Sequence, residues 1–348
     1  MTTAKRIPDS FHRLTSAVAL ILAAGAFAGN AVAEPLTVYS ALDEDQVVEL
    51  MDAFKAEHPD IQVDMIVSTG GTIISRLIAE KANPRADILF GAPVSGLLVL
   101  DKEGVIEPYK PAEFDKIKPA LKDTAHEVPL WTGLDAWASA VCYNTVEGEA
   151  GGAAEPASWR DLIKPEYKGK IVMANPNASG TGFLTVAGWL TLFGEEGGWD
   201  YMDKLHENVS QYVSSGGAPC RMAASGEAVA GISYAFPGVK AKNEGAPVNI
   251  ILPSEGLGSE IEATALIKGG RNPDAAKLLA DFAASQKSGE INSKYYVVVA
   301  REGIKPEIEN YPEGEEAKML NLDFNMLAEK KAGILEEWQR RYGAKTVE

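Results

Sequence analysis

Two short turns in this chain carry the residue types of an anion site. Ser68-Thr69-Gly70-Gly71-Thr72 and Ser179-Gly180-Thr181-Gly182 are both rich in hydroxyls and glycine, and each precedes an apolar pattern of helical spacing. Phe183, Val186, Ala187 and Leu190 fall at i, i+3, i+4 and i+7, which gives the second of these helices one buried face. The first four amides of a helix have no partner inside it. Glycine lets a ligand approach them closely, and the helix start carries roughly half a positive charge. Such a terminus can hold a negative group without lysine or arginine. Ser and Thr also serve as ordinary N-caps, so either turn alone is ambiguous. One in each half of the chain points to a shared anion. Neither has the spacing of a Walker loop or a dinucleotide fingerprint.

The elements that must carry these turns follow an alternating rhythm. Residues 36–40 read as a strand and 46–57 as an amphipathic helix stopped by His58-Pro59. Residues 61–67 alternate like a strand, Ile73, Ile74, Leu77 and Ile78 mark a helix face, 87–91 is an apolar strand and 95–102 is helical. This is the pattern of an α/β sheet with mostly parallel strands. Residues 131–144 are rich in strand formers, and a Gly/Ala/Glu/Pro stretch over 147–156 interrupts the rhythm. It restarts with strands at 170–174, 209–214, 231–234 and 250–253 and helices at 183–192 and 221–226. A last strand spans 263–268, and the rest is mainly helical. Two α/β units predict two lobes, with 34–136 and 263–348 forming the first and 137–262 the second. A chain that crosses twice makes a hinge, and small ligands sit in clefts between lobes.

Of the 348 residues, 46% are hydrophobic and 24% charged, ordinary for a globular protein. Lys5, Arg6 and Arg13 precede an apolar run over 17–28 and then Ala31-Val32-Ala33. That order is a signal peptide, residues 1–33, cleaved after Ala33, and it predicts export to a bacterial periplasm. Its removal takes away three basic residues and Asp9, so the formal charge moves from -16 to -18. An acidic surface of this size repels nucleic acid and anionic membranes. The two cysteines, Cys142 and Cys220, predict one disulfide in an oxidising compartment; free thiols or a metal pair are the alternatives.

Enzyme signatures are sparse. The four histidines, His12, His58, His126 and His206, show no metal-ligand spacing, and no G-x-S-x-G elbow occurs. Ser179 has no identifiable base. An exported phosphatase is the enzyme alternative, with no cofactor expected.

The chain resembles the periplasmic solute-binding proteins of bacterial ABC importers. Within them it is similar to the 2-aminoethylphosphonate-binding group, related to ferric-iron binders. The resemblance rests on "LTVYSALDEDQ", "STGGTI", "GLDAWASAVCYN", "YKGKIVM", "NPNASGTGF", "PCRMAASGE", "EATALIKG" and "EWQRRY" and covers nearly the whole chain after residue 33. It implies a two-lobed type II periplasmic binding fold with a hinge and an interlobe cleft. It also implies a monomer that binds a small anionic solute and delivers it to a permease in the inner membrane. Carried over by position, the cleft would use Tyr39, Ser40 and Ala41, then Ser68, Thr69 and Gly70, then Gly91. The second lobe would add Ser179, Gly180, Thr181, Gly182 and Tyr234, with Asp135 and Trp137 at the first crossing. No metal ligand is expected. The ferric binders' adjacent tyrosines correspond here to Ala235-Phe236, which lack anionic oxygens, and the Tyr295-Tyr296 pair is expected to serve packing. The acidic residue of the aminoethylphosphonate binders is also absent at Ala235, which leaves Asp43, Glu44 and Asp135 as partners for an ammonium. Arg76 and Arg221 are the nearest basic residues by sequence.

Overall fold

The computed structural model describes residues 34–347; the signal-peptide reading lies outside the described residues. The first alternating run is β1 (Leu36–Ser40), α1 (Glu44–Glu57), β2 (Val63–Val67), α2 (Gly70–Glu80), β3 (Ile88–Pro93) and α3 (Val94–Lys102). A short β4 (Ile106–Glu107) precedes the long strand β5 (Thr132–Asn144) and α4 (Thr145–Gly151). The second run is β6 (Ile171–Ala174), α5 (Gly180–Asn208), β7 (Val209–Val213), α6 (Ala218–Ser225), β8 (Ala230–Tyr234), α7 (Ala235–Asn243) and β9 (Val248–Ile251). Then β10 (Ser259–Ile267) returns, followed by α8 (Pro273–Ala283), α9 (Gln286–Asn292), β11 (Val298–Val299), α10 (Glu315–Lys318) and α11 (Phe324–Tyr342).

The strand order is β2-β1-β3-β10-β5-β8-β6-β7. The inner strands of each run pair in parallel, β1 with β2 and β3, and β6 with β7 and β8. The two crossing strands do not. β10 is antiparallel to β3 and β5, and β5 is antiparallel to β8 and β9. The sheet is therefore mixed rather than mostly parallel, because strands that carry the chain between halves run against the local direction. The first part of β5 pairs with β10 and its last part with β8 and β9, so one strand joins both halves.

Separate apolar cores flank this junction. Leu50, Phe54, Phe90 and Leu279 fill one side of the first half, and Ile73, Leu97 and Ala263 the other. Trp159, Trp189, Ile232 and Trp338 fill the second half. Trp338 belongs to α11, so the C-terminal helix does not stay with the first half. Arg341 and Tyr342 of the same helix bond Asp203 at 3.0 and 2.7 Å.

Three local expectations change. Within 147–156 the chain opens with α4, capped by Asn144, whose side chain accepts from Val146 and Glu147 amides. The return strand starts at Ser259, four residues before the expected Ala263. Residues 235–243 form α7, whose weak periodicity hid it. Cys142 and Cys220 are bonded, with Cα atoms 5.1 Å apart, and tie β5 to α6. Among the described residues no helix is long and apolar enough to cross a membrane.

Candidate functional site

The residues of interest gather at the C-terminal ends of strands, where ligands of open α/β sheets bind. A cavity of about 280 Å³ is lined by Ala41 to Glu44 after β1, Val67 to Gly70 after β2, and Pro93 at the end of β3. The second half contributes Ala178 to Thr181 after β6, Ser214 to Gly217 after β7, and Tyr234 at the end of β8.

Three helix N-termini open onto this space. Thr69 caps α2, its Oγ1 accepting from the Thr72 amide at 3.4 Å. Ser179 caps α5, its Oγ accepting from the Gly182 amide at a long 3.5 Å. Gly217 precedes α6, and the Gly216 carbonyl is pinned by the Ser233 hydroxyl at 2.6 Å. The turns press together. A Cβ on Gly70 would lie 3.1 Å from the Pro93 ring, and one on Gly180 3.9 Å from the same ring. A Cβ on Gly216 would lie 2.5 Å from Thr181 Oγ1 and 2.9 Å from Ser179 Oγ. At Gly216 glycine is a requirement of close approach, whereas at Gly180 a Cβ would make only ordinary contact, and Ser179 and Thr181 line the cavity beside the start of α5.

Arg221 is the one cationic side chain lining the cavity among the described residues, and its Nη2 donates to Ser215 Oγ at 3.2 Å. The opposite wall is acidic and aromatic. Tyr234 donates to both Asp43 oxygens, at 2.9 and 3.2 Å, and its ring lies 5.6 Å from that of Trp137. Burial pushes the Asp43 carboxyl up, against the opposing pull of Tyr234 and Arg221. Glu262 and Tyr296 complete this wall; burial raises both well above their ordinary ranges, and the Asp135 and Asp43 carboxylates raise Glu262 further.

Of the residues expected from the sequence, Ala41, Ser68, Thr69, Gly70, Ser179, Gly180, Thr181 and Tyr234 line the cavity, with Trp137. Five do not. Tyr39 turns away, donating to Glu80 at 2.9 Å beneath the Arg76 guanidinium. Ser40 is fully buried and accepts from the Leu42 amide. Gly91, at φ 66°, faces Leu42, which a Cβ would meet at 2.2 Å. Gly182 packs on the Ala174 carbonyl. Asp135 lies wholly buried behind Glu262, accepting from Gln46 at 3.1 Å. These residues shape the cavity from behind. Sequence reasoning missed Ser214-Ser215-Gly216-Gly217, although it has the same composition as the two turns it singled out. Glu262 gave no signal, since it fell just outside the strand expected from 263, which in fact starts at Ser259. Tyr296 was expected to serve packing; it lies just beyond α9, 2% exposed, and its residue also lines the cavity.

The architecture and the position of the cleft are those of a two-lobed binding protein of the periplasmic type II fold. The chain belongs to the bacterial extracellular solute-binding protein family, whose model matches residues 84–330. An uncharacterised protein of Haemophilus influenzae is 31% identical over 93% of this chain and 96% of its own. A probable ABC transporter periplasmic-binding protein of Sinorhizobium fredii is 28% identical over 76% of this chain and 73% of its own. The periplasmic binding protein AfuA of Actinobacillus pleuropneumoniae, solved with exogenous fructose-6-phosphate bound, superposes with a TM-score of 0.82. It is 28% identical, over 89% of this chain and 98% of its own. The chain is a periplasmic solute-binding component of ABC transport, and its homologues are binding proteins rather than enzymes.

Proposed function

We propose that this chain captures a small organic phosphonate or phosphate, with 2-aminoethylphosphonate as the leading solute, and hands it to the membrane permease. The observation that carries the reading is the convergence of three hydroxyl- and glycine-bearing helix starts, from both halves of the chain, on one cavity. Hydrogen bonds to a charged group contribute about 1.5–3 kcal/mol each. Five would sum to roughly 8–15 kcal/mol before ordering and desolvation costs, and micromolar binding needs about 8. The acidic wall opposite supplies acceptors for the solute's other end. In this reading residues 34–136 and the first part of the return segment move against 137–262, which carry the end of α11 with them through Trp338 and Tyr342, with β5 and β10 as the hinge strands.

A sugar phosphate is the second reading. The likeness to AfuA with fructose-6-phosphate bound favours it, and the same wall could accept from sugar hydroxyls. Ferric iron fits the donor set poorly. Hard Fe(III) wants anionic oxygens, and the positions that carry adjacent tyrosines in the ferric binders are Ala235 and Phe236 here. Position 236 is a phenylalanine, packed 5.5 Å from the Tyr295 ring.

Thermal shift and calorimetry with 2-aminoethylphosphonate, fructose 6-phosphate, inorganic phosphate and ferric citrate test the reading, since a ligand of the native state raises its melting point. A response to ferric citrate alone would overturn it. Thr181→Val removes one hydroxyl donor beside the α5 amides. It is expected to weaken the anion about 10- to 100-fold with the melting point of the free protein nearly unchanged. Unaltered affinity would put the anion elsewhere.

A further inference from the structure

We infer that Glu262, sharing one proton with Asp135, is the subsite for the solute's cationic end, and that a bound ammonium displaces that proton into solvent. This rests on the proposed phosphonate reading of the cleft and deepens it to a zwitterionic solute.

The two carboxyls are cross-strand partners, Glu262 on β10 facing Asp135 on β5, so both leave the same face of the sheet, and the Asp135 charge pushes Glu262 up beyond the effect of burial. Asp135 is fully buried and Glu262 is 6% exposed, its exposure being to the cavity. Gln46 donates to Asp135 Oδ2, and the Trp137 side chain acts to lower Glu262. Asp135 Oδ1 and Glu262 Oε2 receive no donor from the described residues. Among the described residues no cation acts on either carboxyl. Asp43 at the start of α1 is a third carboxylate, Tyr234 at the end of β8 already donates to Asp43, and Tyr296 is a neutral phenol. Arg221 on α6 acts on Asp43 and Tyr234, and Lys331 on α11 acts on Glu260.

Two adjoining carboxyls out of water cannot both ionise, and they titrate as a pair. A shared proton serves both bare oxygens while no solute is bound. An ammonium entering from the cavity offers N–H donors to Glu262. When the proton leaves, one cation has replaced another, and the buried charge is unchanged. A neutral hydroxyl can donate to Glu262 but gives the proton no reason to leave. The wall therefore separates an aminoalkyl phosphonate from a sugar phosphate, though the anion cradle treats them alike.

Calorimetry of the intact mature protein with 2-aminoethylphosphonate tests this. Ethylphosphonate, which lacks the amine, corrects for the phosphonate's own ionisation. Titrations in two buffers of different ionisation enthalpy, between pH 6 and 8, read the protons exchanged. The expected result is about one proton released per 2-aminoethylphosphonate beyond the control. Its affinity, relative to the control, should fall about tenfold per pH unit as pH drops below the pair's titration. Glu262→Gln is expected to abolish the excess release and collapse the ratio of 2-aminoethylphosphonate to ethylphosphonate affinity; Asp135→Asn should abolish the release as well. No excess release by the unaltered protein, or a ratio untouched in Glu262→Gln, overturns the inference. Binding of fructose 6-phosphate with no preference for the amine overturns it while sparing the anion cradle; failure of every phosphonate and phosphate sinks the cradle itself.

Discussion

Gly216→Ala is expected to cut affinity for a phosphonate or phosphate solute by about 100-fold or more. The added methyl would fall 2.5 Å from Thr181 Oγ1 and 2.9 Å from Ser179 Oγ. Those distances are too short for a Cβ, so both hydroxyls must rotate. Two charge-assisted hydrogen bonds at about 1.5–3 kcal/mol each amount to at least two decades in Kd. The closest contacts fall on two side-chain hydroxyls at the cavity, with Thr181 Cβ next at 3.1 Å, and not on the core, so the melting temperature of the unliganded protein should move by only a few degrees. Gly216 is not among the glycines at positive φ, and alanine fits its backbone. Calorimetry gives the affinity and thermal denaturation the stability. Affinity within threefold of the parent would mean that the anion does not sit where the α5 and α6 turns meet.

Joint replacement of Cys142 and Cys220 by alanine should produce the largest loss of stability. The bond spans 78 residues, and closing a loop of that length in the unfolded chain is worth about 4.5 kcal/mol in the chain-entropy model, as an upper value. Both residues are fully buried, so small cavities add to the cost. Gly238 packs on them; a Cβ there would come 2.4 Å from the Cys142 sulfur. Denaturant unfolding of the parent and the double variant should show a loss of about 2–5 kcal/mol. A difference below 1 kcal/mol would mean that the unfolded chain is already constrained. Because the bond anchors α6 to β5, the start of α6 should also loosen, and solute affinity should fall with stability.

The anion turns were legible because their chemistry is local. Thr69 and Ser179 cap the helices that immediately follow them, and a run of serine, threonine and glycine between a strand and an amphipathic helix is visible in a dozen residues. The third turn, Ser214 to Gly217, was equally local. It gave no signal because the helix after it is only eight residues long, too short to show an apolar face, although Pro219 in its first turn is an ordinary helix start. Glu262 and Asp135 lie at the other extreme. Each sits in a strand whose residues are all buried, and a buried carboxylate contradicts the usual placement of its type. Only the cross-strand register, set by residues more than a hundred positions apart, brings the two together.

The sequence by itself determined the alternation of strands and helices, the two halves and the double crossing. It also determined the two glycine turns and, through the only two cysteines, the one possible intrachain bond. Each of these depends on periodicity or composition within a window shorter than one element. The tertiary structure decided which residues face the cavity. Tyr39 and Asp135 lie near it in sequence yet point elsewhere, while Glu262 and Tyr296 come from the return segment to close its wall. Side-chain direction in a strand has a period of two, so a one-residue difference in register exchanges cavity for core, and that register is fixed by long-range pairing rather than by neighbours in the chain.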